Sequence, residues 1–225
     1  MITVHHLNDS RSQRVLWLLE ELGVPYEVKR YQRDAGTMLA PAELRAIHPL
    51  GKSPVIEDGP AGDPVIVAET GAIVEYLLET RGPSPLKPPP GSAEARRFTY
   101  WLHYAEGSAM TPLLLKLIFS RLPANSPALM RPVVRRVAER VQKVLVDPQL
   151  AAHAAWWEAE LARGPWFAGQ EFTAADIMMS FPIEAGAARI GYGPEKPRLT
   201  AFLQRIHARP AYQRALERGG EYAYA

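Results

Sequence analysis

The sequence predicts a mixed α/β domain followed by an all-helical domain, and three observations lead to this prediction. The chain opens with a strand, helix, strand pattern. A proline-rich segment at 82–91 then interrupts it. Beyond that segment, the apolar residues follow helical spacing throughout. We therefore place a first domain at 1–81, a linker at 82–91 and a second domain at 92–225.

The first domain begins with a strand–helix–strand unit. Residues 2–7 and 24–31 have the composition and alternation of strands, and residues 14–22 between them carry apolar side chains at helical spacing. This order is typical of a parallel crossover. The spacing Ser10-x-x-Gln13 also fits a capping box at the start of the helix.

The rest of the first domain is predicted to be a short helix, a hairpin and a second long helix. Residues 41–47, which begin with a proline, predict a short helix. Apolar runs at 55–57 and 65–67 flank a turn-rich loop at 58–63, which predicts two antiparallel strands. The periodic run at 71–80 predicts the helix that closes this domain.

The linker has five prolines within ten residues, so it can be neither a helix nor a central strand. Pro112 is expected to kink the helix that contains it, and a break is expected at Asp147-Pro148. Thr173-x-x-Asp176 fits a second N-terminal capping box. The predicted helices of the second domain are 92–121, 127–163, 174–189, 197–208 and 210–217.

The composition excludes several classes of protein. The chain has 225 residues, of which 47% are hydrophobic and 22% charged, as in ordinary soluble globular proteins. A net charge of +2 argues against nucleic acid as the main partner. No apolar run is long enough to span a membrane and no secretory signal is visible, so a cytoplasmic location is expected. Because there is no cysteine and the histidines are scattered, neither a protein thiol nor a metal site is expected.

Two short segments are candidates for ligand binding. Pro54 precedes an apolar run and fits the first position of a strand, which leaves the backbone of Ser53 extended and free to pair with a peptide. Glu69 and Thr70 precede the second long helix, where an acid and a hydroxyl can hold an ammonium and a carboxylate. The alternative is structural: a strand-edge proline and a threonine that caps its helix.

Four segments of the sequence form a recognisable pattern: 10–26, 48–55, 68–73 and 166–176. In this order they resemble the cytosolic glutathione transferases, and the resemblance covers nearly the whole chain. It is nearest to the bacterial and fungal branch that has a serine near the N-terminus. It implies a thioredoxin-like first domain, glutathione as co-substrate, a role in detoxification and a homodimer.

The resemblance also implies roles for individual residues. Pro54 corresponds to a cis-proline, and the backbone of Ser53 pairs with the cysteinyl part of glutathione. Glu69 faces the ammonium of the γ-glutamyl end, and the hydroxyl of Thr70, where the family more often has serine, faces its carboxylate. Lys52 reaches the glycyl carboxylate or the nearby backbone. The alternative is that Lys52 is a solvated charge on the loop.

The catalytic group must donate a hydrogen bond to the glutathione sulfur, because this stabilises the thiolate. Ser10 lies at the predicted start of the first helix, where a hydroxyl and the helix dipole act together. Its alternative role is to cap that helix. Asn8, which carries an amide donor at the end of the first strand, and Ser12 in the first helical turn are rival candidates.

The second substrate is expected to bind between the domains. Tyr100, Tyr104 and Ser108 share one helical face by their four-residue spacing and are the candidate electrophile pocket. The alternative is that they belong to the core or to a dimer contact.

The leading hypothesis is an enzyme that conjugates the glutathione thiolate to small hydrophobic electrophiles. A glutathione-dependent peroxidase or disulfide reductase would use the same thiolate, and a transferase-like interaction module would use none. The sequence does not identify the electrophile, and it leaves open whether the tail at 219–225 covers the cleft or is disordered.

Overall fold

The computed structural model describes residues 1–34, 36–60 and 62–224. Ala61 of the predicted hairpin loop and Ala225 of the tail therefore lie outside the described residues. The N-terminal part, residues 1–81, contains four strands and three helices. These are β1 (Ile2–Leu7), α1 (Gln13–Leu22), β2 (Tyr26–Tyr31), α2 (Leu44–Ile47), β3 (Val55–Asp58), β4 (Val65–Ala68) and α3 (Thr70–Thr80).

The four strands form one mixed sheet in the order β2-β1-β3-β4. β1 and β2 are parallel, with Ile2 opposite Tyr26, as the crossover pattern predicts. β3 runs antiparallel to both neighbours, so Val55 lies opposite His5 on one side and Ala68 on the other. The start of β3 and the end of β4 therefore lie side by side, next to the start of α3.

Helix α1 is buried almost all round because the helical part of the chain packs against the face that the sheet leaves uncovered. Residues 13–19 are all buried, including the polar Gln13 and Arg14. Trp17 packs between Phe172 and Tyr212, with ring centroids 5.6 and 5.1 Å away. The two parts of the chain therefore share one core around α1.

Residues 81–92 contain no helix or strand, and every later element is helical. This confirms the predicted fold class; the domain boundaries at 1–81 and 92–225 remain a proposal. The helices are α4 (Ala93–Tyr104), α5 (Met110–Arg121), α6 (Arg131–Val141), α7 (Asp147–Glu160), α8 (Ala174–Ile190), α9 (Pro197–His207) and α10 (Pro210–Gly219).

Two prolines coincide with changes of helix type. A π-helical turn at Ala105–Ala109 joins α4 to α5 just before Pro112, and another at Gln142–Val146 joins α6 to α7 just before Pro148. A proline has no N–H to donate to the preceding turn, and π-turns are a common way to accommodate such a defect. The predicted break at Asp147-Pro148 is therefore a wider turn within a continuous helical path.

Pro182 lies inside α8 and leaves the carbonyl of Met178, four residues earlier, without its helical donor. Arg14 of α1 supplies that donor, with Nη1 2.7 Å from the Met178 oxygen. Arg14 is 1% exposed. A buried cation of the N-terminal part thus completes a helix of the helical part.

The capping box predicted at Thr173-x-x-Asp176 is present at the start of α8. The Asp176 carboxylate accepts the N–H of Thr173 at 2.9 Å and the N–H of Phe167 at 2.8 Å. Burial raises the pKa of Asp176 to about 7 in spite of these donated hydrogen bonds.

The capping box predicted at Ser10-x-x-Gln13 is wrong. Helix α1 begins at Gln13 with Ser12 as its N-cap, and no side chain caps it. The Gln13 amide is buried, and the described residues offer it no hydrogen-bond partner. The Ser10 hydroxyl is therefore not held by the reciprocal contact that its structural role would require.

The C-terminal tail, residues 220–224, folds back onto the seam between the two parts of the chain. The Ala223 N–H donates to Oδ1 of Asp9 at 2.8 Å, and the Tyr222 hydroxyl donates to Glu184 of α8 at 2.7 Å. Tyr224 packs on Phe181 with ring centroids 5.4 Å apart. The sequence leaves open whether the tail folds over the protein or is disordered. The described part of the tail is folded and covers the seam.

Two further features concern the described residues only. None of their helices combines the length and apolar character needed to cross a membrane. Within 1–34, 36–60 and 62–224, no group of three or more histidine or acidic side chains is placed to hold a metal ion.

Candidate functional site

A cleft of about 170 Å³ lies where β3, β4 and α3 meet. It contains all five residues that the sequence assigns to glutathione binding. The cleft is lined by Arg11, His48, Leu50, Lys52, Ser53, Pro54, Ala68, Glu69 and Thr70. A larger hollow of about 500 Å³ between α5 and α6 contains none of the predicted site residues.

The loop before β3 presents unpaired backbone groups to this cleft. The Ser53–Pro54 peptide bond is cis. Ser53 is anchored by its side chain, whose Oγ donates to the carbonyl of His5 at 2.8 Å. Its own N–H and C=O make no hydrogen bond to other backbone groups among the described residues. A peptide-like ligand can therefore pair with Ser53 as an added strand would.

Glu69 has an unusual backbone conformation for a non-glycine residue, with φ at +71° and ψ at +126°. Such conformations cost roughly 1–3 kcal/mol and are concentrated at functional sites. The side chain is exposed at the cleft and does not cap α3. Thr70, the first residue of α3, is 3% exposed and adjoins it. The chain thus holds a carboxylate and a hydroxyl together at a helix N-terminus.

The charges around the cleft are of both signs. Glu69 is its one carboxylate, and Lys52 and Arg11 contribute cations. The N-terminus of α3 adds a partial positive charge. This arrangement suits a ligand with one ammonium and two carboxylates.

The turn between β1 and α1 contains a chain of hydrogen bonds. Ser10 Oγ lies 2.6 Å from Ser12 Oγ, which in turn lies 2.9 Å from Nδ1 of His6. Ser12 is fully buried, whereas Ser10 is 5% exposed and directly precedes Arg11 of the cleft. Of the two serines, only Ser10 keeps surface that a ligand can contact.

His6 is held neutral at the inner end of this chain. Burial lowers the pKa of His6 to about 4, and Arg30 adds to the effect, while Asp9 opposes it. A neutral imidazole has one donor and one acceptor nitrogen.

Asn8 uses both ends of its amide within the protein. Its Oδ1 accepts the N–H of Arg33 at 2.9 Å, and its Nδ2 donates to Asp9 at 3.5 Å. Asp9 itself has a φ of +47° and accepts the N–H of Ala223. Asn8 therefore supports the shape of the turn, and one of its two amide N–H groups already has a partner.

Arg11 of the cleft belongs to a three-residue ion cluster. Glu106, in the π-turn between α4 and α5, pairs with both Arg11 and Arg14. Burial acts to raise the pKa of Glu106, but the two arginines outweigh it, so that the pKa lies below its ordinary value. Arg11 is thus oriented across the seam.

Tyr100, Tyr104 and Ser108 do not line the cleft. The Tyr104 hydroxyl is bonded to His153 and accepts the N–H of Trp157 at 3.2 Å, so it faces α7. Tyr100 and Ser108 are exposed. The part of the chain that the structure describes does not bring these three side chains to the glutathione-binding residues, and their role as an electrophile pocket stays a prediction.

Sequence reasoning missed Glu106 and Asp9. Glu106 lies in a helix whose amphipathic pattern gave no sign of a partner 92 residues earlier in the chain. No local pattern singles out Asp9. The signal that could have found Glu106 is the pair Arg11 and Arg14, two cations beside a buried helix face that need an acid nearby.

Two family models match the chain. The model described as "Glutathione S-transferase, N-terminal domain" matches residues 1–79, and "Glutathione S-transferase, C-terminal domain" matches residues 122–210. Together they cover more than half of the sequence, on both sides of the proline-rich linker.

Individual proteins agree with these matches. Glutathione S-transferase 3 of Schizosaccharomyces pombe is 34% identical over 220 residues, which cover 97% of this chain and 88% of that protein. A crystal structure of a glutathione S-transferase from Actinobacillus pleuropneumoniae is 30% identical, with a TM-score of 0.78, covering 100% and 95% of the two chains. A Pseudomonas fluorescens family member solved with two glutathione bound is 26% identical, with a TM-score of 0.71 and coverage of 96% and 92%.

Proposed function

Because this chain belongs to the glutathione S-transferase family, we propose that it conjugates the thiolate of glutathione to small hydrophobic electrophiles. The observation that carries the proposal is the cleft in which the loop before Pro54 adjoins Glu69 and Thr70. A structural relative from Pseudomonas fluorescens was solved with glutathione bound. Glutathione is therefore the proposed co-substrate.

Glutathione fits the charges of this cleft in one orientation. The carboxylate of Glu69 faces the γ-glutamyl ammonium, and Thr70 with the N-terminus of α3 faces the neighbouring carboxylate. The free backbone of Ser53 pairs with the cysteinyl residue. Lys52 then neutralises the glycyl carboxylate. Each charged group of the tripeptide meets an opposite charge or a donor.

Ser10 is the proposed donor to the sulfur, which would place the enzyme in the serine-type branch. Ser10 is 5% exposed and directly precedes Arg11 of the cleft, whereas Ser12 is fully buried and the Asn8 amide makes two hydrogen bonds that hold the turn. A hydrogen bond to the sulfur favours thiolate over thiol. Asn8 and Ser12 are therefore the weaker candidates.

The reaction needs no protein nucleophile. The glutathione thiol loses its proton to solvent, and Ser10 donates a hydrogen bond to the resulting anion. The sulfur lone pair forms a bond to the electrophilic carbon. In a substitution, the leaving group departs with its bonding electrons; in an addition, the carbanion takes a proton from water. The protein contributes the lowered thiol pKa and the proximity of the two substrates.

As an alternative to the predicted pocket at Tyr100, Tyr104 and Ser108, the electrophile is proposed to bind where the C-terminal tail covers the seam beside Asp9. Tyr222 and Tyr224 pack edge to face with centroids 5.4 Å apart, and Tyr224 contacts Phe181. Ala223 between them donates to Asp9, the residue before the candidate catalytic serine. An aromatic wall thus adjoins the position proposed for the sulfur, and such rings favour apolar substrates.

A homodimer is proposed because several groups of large apolar side chains remain exposed, on β4, on α4 and α7, and along α5 and α6. Val65 and Ile66 lie on β4, at the edge of the sheet. Tyr100 on α4 and Trp156 on α7 form a second group. Exposed apolar patches of this kind mark interaction surfaces. A cytoplasmic location is proposed because a reducing compartment keeps glutathione in its thiol form.

Replacing Glu69 by alanine is expected to weaken glutathione binding roughly tenfold to a hundredfold, because the ammonium loses a charged hydrogen-bond acceptor. Stability should change by less than about 0.5 kcal/mol, since the side chain is exposed and caps nothing. Calorimetric titration and urea unfolding measure the two effects. Glu75→Ala, at an exposed site on α3, is the control. Unchanged affinity would remove Glu69 from the site.

Replacing Ser10 by alanine is expected to raise the thiol pKa of bound glutathione by about one unit, because the thiolate loses a hydrogen bond worth roughly 1.5 kcal/mol. The thiolate is followed by its ultraviolet absorbance across pH. Ser10→Thr, which keeps the hydroxyl, is the matched variant. An unchanged thiol pKa in Ser10→Ala would reduce Ser10 to a structural role.

The experiment that tests the function as a whole is glutathione titration of the intact protein, followed by assays with panels of electrophiles and peroxides. Binding with a lowered thiol pKa and turnover of electrophiles supports the transferase. Turnover of peroxides or disulfides alone would assign the same thiolate to a peroxidase or reductase. Absence of binding at millimolar glutathione would contradict both and favour an interaction module.

A further inference from the structure

The hydrogen-bond chain from His6 through Ser12 to Ser10 has a direction that its geometry constrains. Two fixed backbone donors act on it: the N–H of Leu7 lies 3.3 Å from Ser12 Oγ, and the N–H of Ser12 lies 3.2 Å from Ser10 Oγ. Each serine oxygen therefore already accepts one hydrogen bond. What remains to be assigned is the direction in which each hydroxyl proton points and whether Nδ1 of His6 carries the imidazole proton.

Ser12 Oγ also lies 3.4 Å from the carbonyl oxygen of Leu7, a longer contact than those to Ser10 and His6. With the Ser12 proton in one of the two shorter contacts, two arrangements remain. In the first, Ser10 donates to Ser12, and Ser12 donates to a bare Nδ1 of His6. In the second, the Nδ1–H of His6 donates to Ser12, and Ser12 donates to Ser10. Only the second leaves the Ser10 proton free to point away from the chain.

The second arrangement also fills the acceptor sites of both hydroxyls. Ser12 Oγ accepts from Leu7 and His6, and Ser10 Oγ accepts both the N–H and the hydroxyl of Ser12. A hydroxyl oxygen that accepts two hydrogen bonds directs its own proton outward, and donors in series strengthen one another.

We propose that His6 is a positioning residue: acting through Ser12, it turns the Ser10 hydroxyl proton towards the glutathione sulfur. This inference rests on the proposed role of Ser10. His6 is 3% exposed and lies behind Ser12, so it touches neither glutathione nor the electrophile. Its function is to fix which group of the chain donates.

The surroundings of His6 keep it suited to this role. The charged groups that act on it are Arg30 on β2 and Asp9 in the turn after β1. Burial, together with Arg30, holds the pKa of the imidazole well below neutrality. A neutral ring supplies one N–H, which the chain uses at Nδ1. The donor is therefore present throughout the pH range in which the thiol titrates.

The test compares His6→Leu, which removes the donor, with His6→Asn, whose amide N–H can take the place of Nδ1–H. The thiol pKa of bound glutathione is measured by ultraviolet absorbance across pH. We expect His6→Leu to raise it by about one unit and His6→Asn to leave it near the value of the unmodified protein. Equal values in His6→Leu and the unmodified protein would overturn the proposal.

Ser12→Ala gives an independent test if the larger change at His6 prevents folding. It interrupts the chain with a small side chain and should raise the thiol pKa as His6→Leu does. An unchanged thiol pKa in a folded Ser12→Ala protein would also overturn the proposal.

The double variant Ser10→Ala/His6→Leu separates this proposal from its premise. If His6 acts only through Ser10, the double variant has the same thiol pKa as Ser10→Ala alone. A further rise would show that His6 acts through space and would contradict the relay. If Ser10→Ala itself changes nothing, the catalytic role of Ser10 fails; if Ser10→Ala raises the pKa but His6→Leu does not, only the relay fails.

Discussion

Replacing Asp176 by alanine is expected to cost roughly 4 kcal/mol of unfolding free energy, the largest effect of any single substitution proposed here. The carboxylate accepts the buried N–H groups of Phe167 and Thr173 and also the Thr173 hydroxyl, at 2.8, 2.9 and 3.2 Å. Each buried donor left without a partner costs about 1–3 kcal/mol, and loss of the cap adds about 1 kcal/mol.

Urea unfolding followed by circular dichroism measures this change. Asp176→Asn keeps one oxygen acceptor and should lose distinctly less stability. Asp63→Ala, at an exposed site before β4, controls for the general effect of removing a carboxylate and should stay within about 0.5 kcal/mol. A loss below about 1 kcal/mol in Asp176→Ala would mean that solvent replaces the carboxylate.

Replacing Arg14 by methionine is expected to cost roughly 3 kcal/mol, because it breaks a buried ion pair by removing one partner. The substitution leaves the Met178 carbonyl without the donor that Pro182 makes necessary, and it removes one of the two cations that hold Glu106. Since 1 kcal/mol shifts the melting temperature of a protein this size by roughly 2–4 °C, a decrease of about 10 °C is expected.

Thermal unfolding measures this decrease. Arg140→Met, on the exposed surface of α6, is the matched control and should melt within about 2 °C of the unmodified protein. Arg14→Lys keeps the charge but loses the fork that reaches both partners, so it should give an intermediate result. A melting temperature of Arg14→Met equal to that of the control would show that the pair contributes no net stability.

Much of the fold follows from local patterns in the sequence. The strand–helix–strand opening, the hairpin at β3 and β4 and the box at Thr173-x-x-Asp176 each depend on residues close together in the chain, and each is observed. The box predicted at Ser10-x-x-Gln13 rests on the same kind of local spacing, but it is not observed. Its spacing fits, but α1 starts later, at Gln13, and Ser10 Oγ contacts Ser12 instead of capping the helix.

The site can be predicted from the sequence only where its residues lie close together in the chain. Ser53, Pro54, Glu69 and Thr70 come from two short segments that flank one hairpin, and they meet in one cleft. The partners of Arg11 and Arg14 and the contacts of the tail join residues far apart in sequence, so no local pattern indicates them. Tyr104 shows the limit of spacing arguments. Spacing predicts which residues share a helix face, but not that the face of Tyr104 packs against α7.

The position of Trp17 has a consequence for spectroscopy. Of the five tryptophans in the chain, it is the one in the N-terminal part, and its neighbours Phe172 and Tyr212 belong to the helical part. Tryptophan fluorescence therefore has no signal for the sheet alone, because every tryptophan lies in the helical part or at the seam. A fluorescence melt that precedes the loss of circular dichroism would report separation of the two parts before either one unfolds.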